Sequence, residues 1–167
     1  KVATIGTLGV KTDNYIKKVA NTTIDPITLS IVLNKLKKEK INNVILEASS
    51  HGLKQNRLDG LEFKTGIFTN LSHDHLDYHK TFSDYLKSKL YLFKKLLKKN
   101  ANIISDIEIP EYRRIKEIAI KNKFNIQTIS NNGGNLEIIS HVYHNEKQIV
   151  KIKYDKKIYK FETILIG

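Results

Sequence analysis

The strongest constraint on the fold is the alternation of short apolar runs with longer amphipathic segments through residues 1–130. The apolar runs fit buried strands, and they lie at residues 2–5, 44–46, 65–69, 101–104 and 125–129. Amphipathic periodicity predicts helices that start at Asp25-Pro26 and that cover residues 82–99 and 111–121. The apolar stripe of the first helix is predicted at Ile27, Ile31, Leu33 and Leu36. Strands that alternate with helices indicate an α/β fold, in which a mostly parallel sheet is flanked by helices.

The pattern changes after a strong turn signal at residues 131–134, which read Asn-Asn-Gly-Gly. Residues 136–144, 148–154 and 157–166 each alternate apolar with polar side chains, which is typical of half-buried antiparallel strands. We therefore predict one domain over residues 1–167. It has a parallel α/β part at 1–130 and a small antiparallel subsheet at 135–167.

The composition excludes several classes of protein. No run of 18 apolar residues occurs, so we expect no membrane helix and no membrane partner. Cysteine is absent, which excludes disulfides and cysteine nucleophiles and agrees with a cytoplasmic location. The net charge of +12 is compatible with a nucleic-acid partner, yet only three of the 29 basic residues are Arg, at positions 57, 113 and 114. We interpret the lysines as solvated helix faces and expect no nucleic acid to be bound.

The chain contains no Met and begins with Lys1, which indicates a fragment of a longer protein. Residues 6–12 look like a phosphate-binding loop, but Val10 stands where that loop needs a Gly before its Lys. We therefore expect any nucleotide-phosphate cradle to lie outside this chain.

Glu47 directly follows the apolar run at residues 44–46. The carboxyl ends of parallel strands form the ligand crevice of open α/β sheets, and a carboxylate there can hold Mg²⁺. The alternative is an acid that is exposed at a strand end by chance. Position by itself gives the two interpretations roughly even weight.

A second candidate is the cluster of three His and two Asp in residues 73–79. His75 and His79 have the i, i+4 spacing of a helical metal-binding pair. Local capping of a helix N-terminus by Asp and Ser is the alternative. The spacing alone does not choose between them.

Lys89 lies at the centre of a predicted apolar helix face. At 100° per residue, the side chains of Phe82, Tyr85, Phe93 and Leu96 surround it on that face. A buried ammonium is costly, so either Lys89 extends to solvent or it is held inside for a purpose. A neutral amine in such a place can react with CO₂ to give a carbamate, which is a carboxylate-like metal ligand.

Six blocks, in this order, carry a resemblance to a known family: 21–26 (NTTIDP), 46–53 (LEASSHGL), 55–57 (QNR), 68–72 (FTNLS), 74–79 (DHLDYH) and 89–93 (KLYLF). The series resembles the central domain of the Mur ligases, from about residue 3 to residue 167. Blocks 49–53 and 74–79 resemble in particular the member that adds the third residue of the peptidoglycan peptide.

The resemblance implies a P-loop/Rossmann-like fold and an ATP-dependent amide ligase. In that family ATP phosphorylates the terminal carboxylate of the substrate, and an amine then attacks the acyl phosphate. Glu47 would bind the Mg²⁺ between the ATP phosphates, and His75 would bind a second Mg²⁺ with the carbamate of Lys89. Asn70 would lie beside the nucleotide pocket. The UDP-MurNAc-dipeptide would be held by Thr22, Thr23, Ser49, Gln55 and Arg57.

The resemblance also implies what lies elsewhere in the parent protein. The family's P-loop, its adenine-side Asn motif and its N- and C-terminal domains would be outside residues 1–167, so we expect this chain alone to be inactive. The acidic pair that the family has after its fourth strand is reduced here to Asp106, followed by Ile107.

Two alternative functions remain open, and so does the identity of the incoming amino acid. One rival is a basic binding module that reuses the fold without catalysis. The other is a different Mur-type ligase such as folylpolyglutamate synthetase, which block 49–53 disfavours. The incoming amino acid, meso-diaminopimelate or lysine, stays open because its pocket lies in the C-terminal domain.

Overall fold

The computed structural model describes residues 1–72, 76–144 and 146–164. His75, with its neighbours at 73 and 74, therefore lies outside the described residues. The chain forms two compact units. Unit 1 comprises Lys1–Glu62 and Ser72–Leu96, and unit 2 comprises Phe63–Leu71 and Leu97–Gly167. Within the described residues, no helix is both long enough and apolar enough to span a bilayer.

Unit 1 contains a four-stranded sheet. Its strands are β1 (Val2–Gly6), β2 (Gly9–Lys11), β3 (Ile16–Lys17) and β4 (Asn43–Leu46), in the order β3-β2-β1-β4. β1 pairs in parallel with β4, as the strand–helix alternation predicts, whereas β2 and β3 form an antiparallel hairpin on the other side of β1. The sequence does not predict that hairpin, because strands of two or three residues carry no measurable periodicity.

β4 is the edge strand of this sheet, which corrects the prediction that it is buried. Val44 is 38% exposed and Ile45 is 61% exposed. Among the described residues β4 has a strand partner on one side only, so its other edge and part of its apolar surface stay uncovered.

The helices of unit 1 are α1 (Pro26–Lys38), α2 (Ser50–Lys54), α3 (Leu76–His79) and α4 (Phe82–Tyr91), followed by a π-helical segment at Leu92–Leu96. The predicted start of α1 is confirmed, because the Asp25 carboxylate accepts a hydrogen bond from the Thr28 N–H at 2.9 Å. That contact and others hold the pKa of Asp25 below its usual value.

The predicted apolar stripe of α1 is wrong in part. Leu36 is buried as expected, but its buried partners are Leu29 and Val32, whereas Ile27 is 75% exposed and Ile31 is 65% exposed. Positions 27 and 31 are two residues from Leu29, which places them about 160° around the helix from it. Apolar residue type does not imply burial here, because several isoleucines of this chain lie at the surface.

Unit 2 contains a six-stranded sheet in the order β10-β9-β8-β7-β6-β5. Its strands are β5 (Phe63–Phe68), β6 (Leu97–Asp106), β7 (Asn125–Ser130), β8 (Leu136–His144), β9 (Lys147–Tyr154) and β10 (Lys157–Thr163), and α5 (Tyr112–Asn122) connects β6 to β7. Strands β5 to β8 pair in parallel, and β8 to β10 form the predicted antiparallel meander.

The mixed α/β fold with a mainly parallel sheet and a smaller antiparallel part is thus as the sequence predicts. One predicted helix is too long, since residues 97–99 belong to β6 and not to the helix that starts at Phe82. Phe93 and Leu96 are buried in the π-helical segment, and Leu97 then pairs with Phe63 on β5. That pairing with a strand distant in sequence outweighs the local helical preference of the lysine-rich segment.

Candidate functional site

The Glu47 carboxylate lies at the carboxyl end of β4 and is fixed by Thr7, which begins the turn after β1. Oε2 of Glu47 accepts hydrogen bonds from the Thr7 N–H at 2.9 Å and from the Thr7 hydroxyl at 2.8 Å. The Glu47 N–H donates to the Ile5 carbonyl at 2.8 Å, which extends the β1–β4 pairing by one residue. The pairing of β4 with β1 and the hydrogen bonds from Thr7 therefore place an exposed carboxylate at the strand end where the sequence predicts one.

Thr23 joins the Glu47 main chain to the start of α2. Its buried hydroxyl donates to the Glu47 carbonyl at 2.8 Å and accepts from the Ser49 N–H at 2.8 Å. The Ser49 hydroxyl in turn accepts from the Gly52 N–H at 3.1 Å, which caps α2. A Cβ at position 52 would come within 2.6 Å of the Thr23 side chain, so Gly52 permits this close approach.

Arg57 and Gln55 extend the same network beyond α2. The Arg57 guanidinium donates through Nη1 to the Thr23 carbonyl at 2.7 Å and through Nε to Gln55 Oε1 at 2.8 Å. Gln55 Nε2 donates to the Tyr78 hydroxyl at 3.0 Å. Two N–H donors of the guanidinium, at Nε and Nη1, are thus bonded within the chain, and these bonds hold the guanidinium plane in one orientation.

The neighbouring Thr22 belongs to this arrangement as well, because its hydroxyl lies 3.0 Å from the Thr7 hydroxyl. Unit 1 therefore brings together six predicted site residues from segments that are far apart in sequence. They are Glu47, Thr22, Thr23, Ser49, Gln55 and Arg57. We call these residues, together with Thr7, the Glu47 network.

Lys89 lies on α4 with partial burial, next to the buried side chains of Tyr85 and Phe93. Its ammonium group is 5.1 Å from the centroid of the Tyr85 ring, which is within the range of a cation–π contact. Of the four residues predicted to share its face, Tyr85, Phe93 and Leu96 are buried, whereas Phe82 is 36% exposed. The side chain is half-buried with its ammonium beside an aromatic ring, which does not choose between extension to solvent and retention inside for a purpose.

His75 lies outside the described residues. Asn70 belongs to unit 2 and lies two residues beyond the end of β5, at an exposed position. In the part of the chain that the structure describes, no group of three or more His, Asp or Glu side chains is arranged around a common point.

The structure gives roles to Thr7 and Tyr78, for which the sequence predicted none, and a different role to His79. Thr7 and Tyr78 form hydrogen bonds with residues of the Glu47 network. In the sequence, Thr7 is marked only by its position directly after the strand that ends in Gly6. His79 is completely buried, its Nε2 lies 2.9 Å from the Ser50 hydroxyl, and its ring stacks on Tyr85 with centroids 4.9 Å apart. His79 is therefore a buried packing residue, a role that neither interpretation of the His cluster included.

A nearby ion pair fixes α2 against α4. The Lys54 ammonium bonds to the Asp84 carboxylate, and this hydrogen bond is the largest cause that lowers the pKa of Asp84. The pair is partly exposed, so its contribution to stability is small, and it serves mainly to orient the two helices.

The donor set around Glu47 fits a hard cation such as Mg²⁺. Oε1 of Glu47 takes part in no hydrogen bond within residues 1–72, 76–144 and 146–164, while Oε2 is held by Thr7. An exposed carboxylate with one oxygen fixed and the other available, flanked by threonine hydroxyls, is the kind of oxygen-rich environment that Mg²⁺ prefers.

Comparison with known proteins gives consistent results. The chain is 35% identical over 165 residues to UDP-N-acetylmuramoyl-L-alanyl-D-glutamate--2,6-diaminopimelate ligase of Agrobacterium fabrum, covering 99% of this chain and 34% of that protein. It is 37% identical over 171 residues to the Rickettsia bellii protein of the same name, covering 100% and 36%. A solved structure of a ligase of that name superposes with a TM-score of 0.85 at 28% identity, covering 99% and 34%.

The chain thus spans about a third of the length of these relatives. The family model of the Mur ligase middle domain matches residues 1–167. Sequence, fold and family model agree, and the chain belongs to the Mur ligase middle-domain family.

Proposed function

We propose that this chain is the central domain of an ATP-dependent ligase that adds the third amino acid to UDP-MurNAc-L-Ala-D-Glu. The observation that carries the proposal is the Glu47 network, in which a carboxylate suited to Mg²⁺ is connected to the residues expected to hold the nucleotide-linked substrate. The connection runs through the Thr7 hydroxyl to Thr22, and through the main-chain carbonyl of Glu47 to Thr23 and then Arg57. The names of the relatives specify 2,6-diaminopimelate, and we propose the same amino acid for the parent protein.

The reaction has two group transfers. An oxygen of the substrate's terminal carboxylate attacks the γ-phosphorus of ATP, the bond from that phosphorus to the β-phosphate oxygen breaks, and ADP leaves. The amine nitrogen of the incoming amino acid then attacks the acyl carbon to give a tetrahedral intermediate. The bond from that carbon to the phosphate oxygen breaks, inorganic phosphate leaves, and the nitrogen loses a proton to complete the amide.

The residues of this chain bind and orient the reactants. Arg57 offers the remaining N–H donors of its fixed guanidinium to a carboxylate or phosphate of the substrate. Thr22, Thr23, Ser49 and Gln55 hold the rest of the UDP-MurNAc-dipeptide. Fixed groups of this kind lower the barrier because the reacting atoms are already in position.

Glu47, His75 and Lys89 as its carbamate would hold Mg²⁺, and Asn70 would lie beside the nucleotide. The bound cations offset the negative charge of the transferring phosphoryl group. The phosphate cradle and the N- and C-terminal domains belong to the parent protein, so the isolated chain should not turn over ATP. We further propose that residues 1–167 act as one central domain and that the protein works in the cytoplasm, where ATP is available.

The test is an assay of the complete parent protein with UDP-MurNAc-L-Ala-D-Glu, ATP, Mg²⁺ and either meso-diaminopimelate or lysine. We expect formation of UDP-MurNAc-tripeptide with meso-diaminopimelate, together with one ADP and one phosphate per product, and loss of this activity in Glu47→Gln. Product with lysine alone would correct the amino acid.

Two other outcomes would overturn the proposal. Glutamate addition to a folate without formation of UDP-MurNAc-tripeptide would favour a folylpolyglutamate synthetase. Nucleic-acid binding with a steep salt dependence, in the absence of any ligation, would favour the basic binding module.

A further inference from the structure

Thr7 lies between the carboxylate of Glu47 and the hydroxyl of Thr22. Its N–H and its hydroxyl both bond to Oε2 of Glu47, at 2.9 and 2.8 Å, and the same hydroxyl is 3.0 Å from Thr22 Oγ1. These residues come from three separate segments, 40 positions apart in the case of Thr7 and Glu47 and 15 in the case of Thr7 and Thr22. A single exposed side chain therefore connects the candidate metal ligand to a candidate substrate-binding residue.

The direction of these hydrogen bonds follows from the number of protons available. An ionised carboxylate only accepts, so the Thr7 hydroxyl uses its one proton on Glu47. The Thr7–Thr22 contact then requires the Thr22 hydroxyl to be the donor. In the described part of the chain this is the only hydrogen bond of the Thr22 hydroxyl. The lone pairs of the Thr22 oxygen are therefore available to accept a hydrogen bond from a ligand.

We propose that Thr7 is a positioning residue that couples Glu47 to substrate recognition by Thr22. This inference rests on the proposed function. Thr7 holds Oε2 of Glu47, so that Oε1 is presented to the cation. Its hydroxyl oxygen also accepts the hydrogen bond that Thr22 donates, so that the Thr22 oxygen faces the substrate as a hydrogen-bond acceptor. Thr22 therefore recognises an N–H or O–H group of the UDP-MurNAc-dipeptide, such as a peptide amide or a sugar hydroxyl, and not one of its carboxylates or phosphates.

Three variants of the complete ligase separate the parts of this coupling. Thr7→Val has nearly the same shape and keeps the backbone N–H, but it lacks the hydroxyl. Thr7→Ser restores a hydroxyl at the same position. Thr4→Val is the matched control, because Thr4 is also an exposed threonine of β1 and its side chain makes no hydrogen bond among the described residues.

The measurements are the Kd of UDP-MurNAc-L-Ala-D-Glu by calorimetry without ATP, the Mg²⁺ concentration for half-maximal ligation, and the KM for ATP. For Thr7→Val we expect the Kd and the Mg²⁺ requirement each to rise about tenfold, since a hydrogen bond to a charged group is lost. The KM for ATP should change by less than about threefold, and Thr7→Ser and Thr4→Val should stay within about threefold of the parent in all three quantities.

A double-mutant cycle tests the coupling itself. In a Thr22→Val background, Thr7→Val should change the substrate Kd by less than about twofold, because the acceptor that it orients is already gone. The effect of Thr7→Val on the Mg²⁺ requirement should persist in that background, because Glu47 is still present.

The inference is wrong if Thr7→Val leaves both the substrate Kd and the Mg²⁺ requirement within about twofold of the parent, or if its effect on Kd is undiminished without Thr22. Circular dichroism reports whether Thr7→Val folds, and Thr7→Ala replaces it in the cycle if it does not. Failure of the proposed function is distinguishable, because it appears as a parent enzyme that makes no UDP-MurNAc-tripeptide, whereas the calorimetric cycle needs no turnover.

Discussion

Gly6 lies directly against the side chain of Glu47. A Cβ atom at position 6 would come within 2.7 Å of both Cγ and Oε2 of Glu47, and closer still to Cδ. The last residue of β1 therefore has to lack a side chain for the carboxylate to reach Thr7, the residue that follows it. A requirement for glycine here comes from a side chain 41 positions away and not from the backbone conformation, because Gly6 is not among the glycines with positive φ.

The first prediction follows from this contact. Gly6→Ala in the complete ligase should displace the Glu47 carboxylate, raise the Mg²⁺ requirement and lower the free energy of unfolding by about 1–3 kcal/mol, as overpacking does. Thermal unfolding and ligation assays at several Mg²⁺ concentrations measure both effects. Glu47→Ala removes the three atoms that the new methyl group would approach most closely, so Gly6→Ala should be nearly neutral for stability in that background. An equal loss of stability in both backgrounds would contradict the explanation.

The second prediction concerns Arg57, whose guanidinium already bonds to the Thr23 carbonyl and to Gln55. A lysine ammonium lacks the planar set of N–H donors of a guanidinium. It cannot form both of these hydrogen bonds and a third one to a ligand in the same geometry. Arg57→Lys should therefore raise the KM for UDP-MurNAc-L-Ala-D-Glu about tenfold or more, and the KM for ATP much less. Steady-state kinetics with each substrate varied in turn gives both values, and Arg114→Lys on the exposed face of α5 is the control. Similar changes in the two KM values would indicate that Arg57 has only a structural role.

The third prediction concerns Lys89, whose ammonium lies on the Tyr85 ring. If its carbamate is a metal ligand, Lys89→Ala should abolish ligation, and short carboxylic acids or bicarbonate should partly restore it. Lys89→Arg should not be restored, because a permanent cation would remain beside the metal. The neighbouring Lys87→Ala, at an exposed position of the same helix, should be active without any additive.

The carbamate itself is measurable by ¹³CO₂ NMR or mass spectrometry of the intact ligase with Mg²⁺. An unmodified Lys89 together with an active Lys89→Ala variant would refute the role. The contact with Tyr85 would then be a packing contact and not part of a metal site.

The fourth prediction concerns the acid sensitivity of unit 2. The Asn131 side chain and N–H and the Ser130 hydroxyl donate to Glu108, at 2.8, 3.0 and 3.0 Å, and they hold the pKa of Glu108 below its usual value. A lowered pKa in the folded state means that the stabilisation is present above the ordinary carboxyl pKa, about 4.3, and is lost as the pH falls through the lowered value.

Glu108→Gln should therefore reduce amide-exchange protection of residues 107–133 at neutral pH, and it should make that protection less dependent on pH between about 5 and 3. Hydrogen-exchange mass spectrometry of the complete ligase, corrected for the intrinsic rate at each pH, provides the measurement. Glu117→Gln on exposed α5 is the control. Protection in Glu108→Gln that follows the parent at every pH would show that the Glu108 bonds do not hold this turn.

Much of the fold follows from patterns that are local in the chain. Asp25 before Pro26 starts a helix because its carboxylate satisfies an N–H three residues later, and no distant residue is needed for that. Alternating side chains and tight turns likewise predict β8 to β10, since neighbouring antiparallel strands are also neighbours in sequence. The motif residues of the candidate site were found because each block is short and contiguous.

The contacts that make the site are different in kind. Thr7 meets Glu47 and Arg57 meets Thr23 only because the pairing of β1 with β4 and the position of α2 bring segments 34 to 40 residues apart together. Neither pair has a periodic signature, so Thr7 and Gly6 received no role from the sequence.

Burial also depends on partners distant in sequence. Val44 and Ile45 are apolar, yet they are exposed because β4 is an edge strand, and the helix predicted over 82–99 gives way to a strand where Leu97 pairs with Phe63. Residue type and local spacing determine which elements a segment can form. The free energy of long-range pairing and burial, which a local window does not contain, decides which of them forms and which side chains meet.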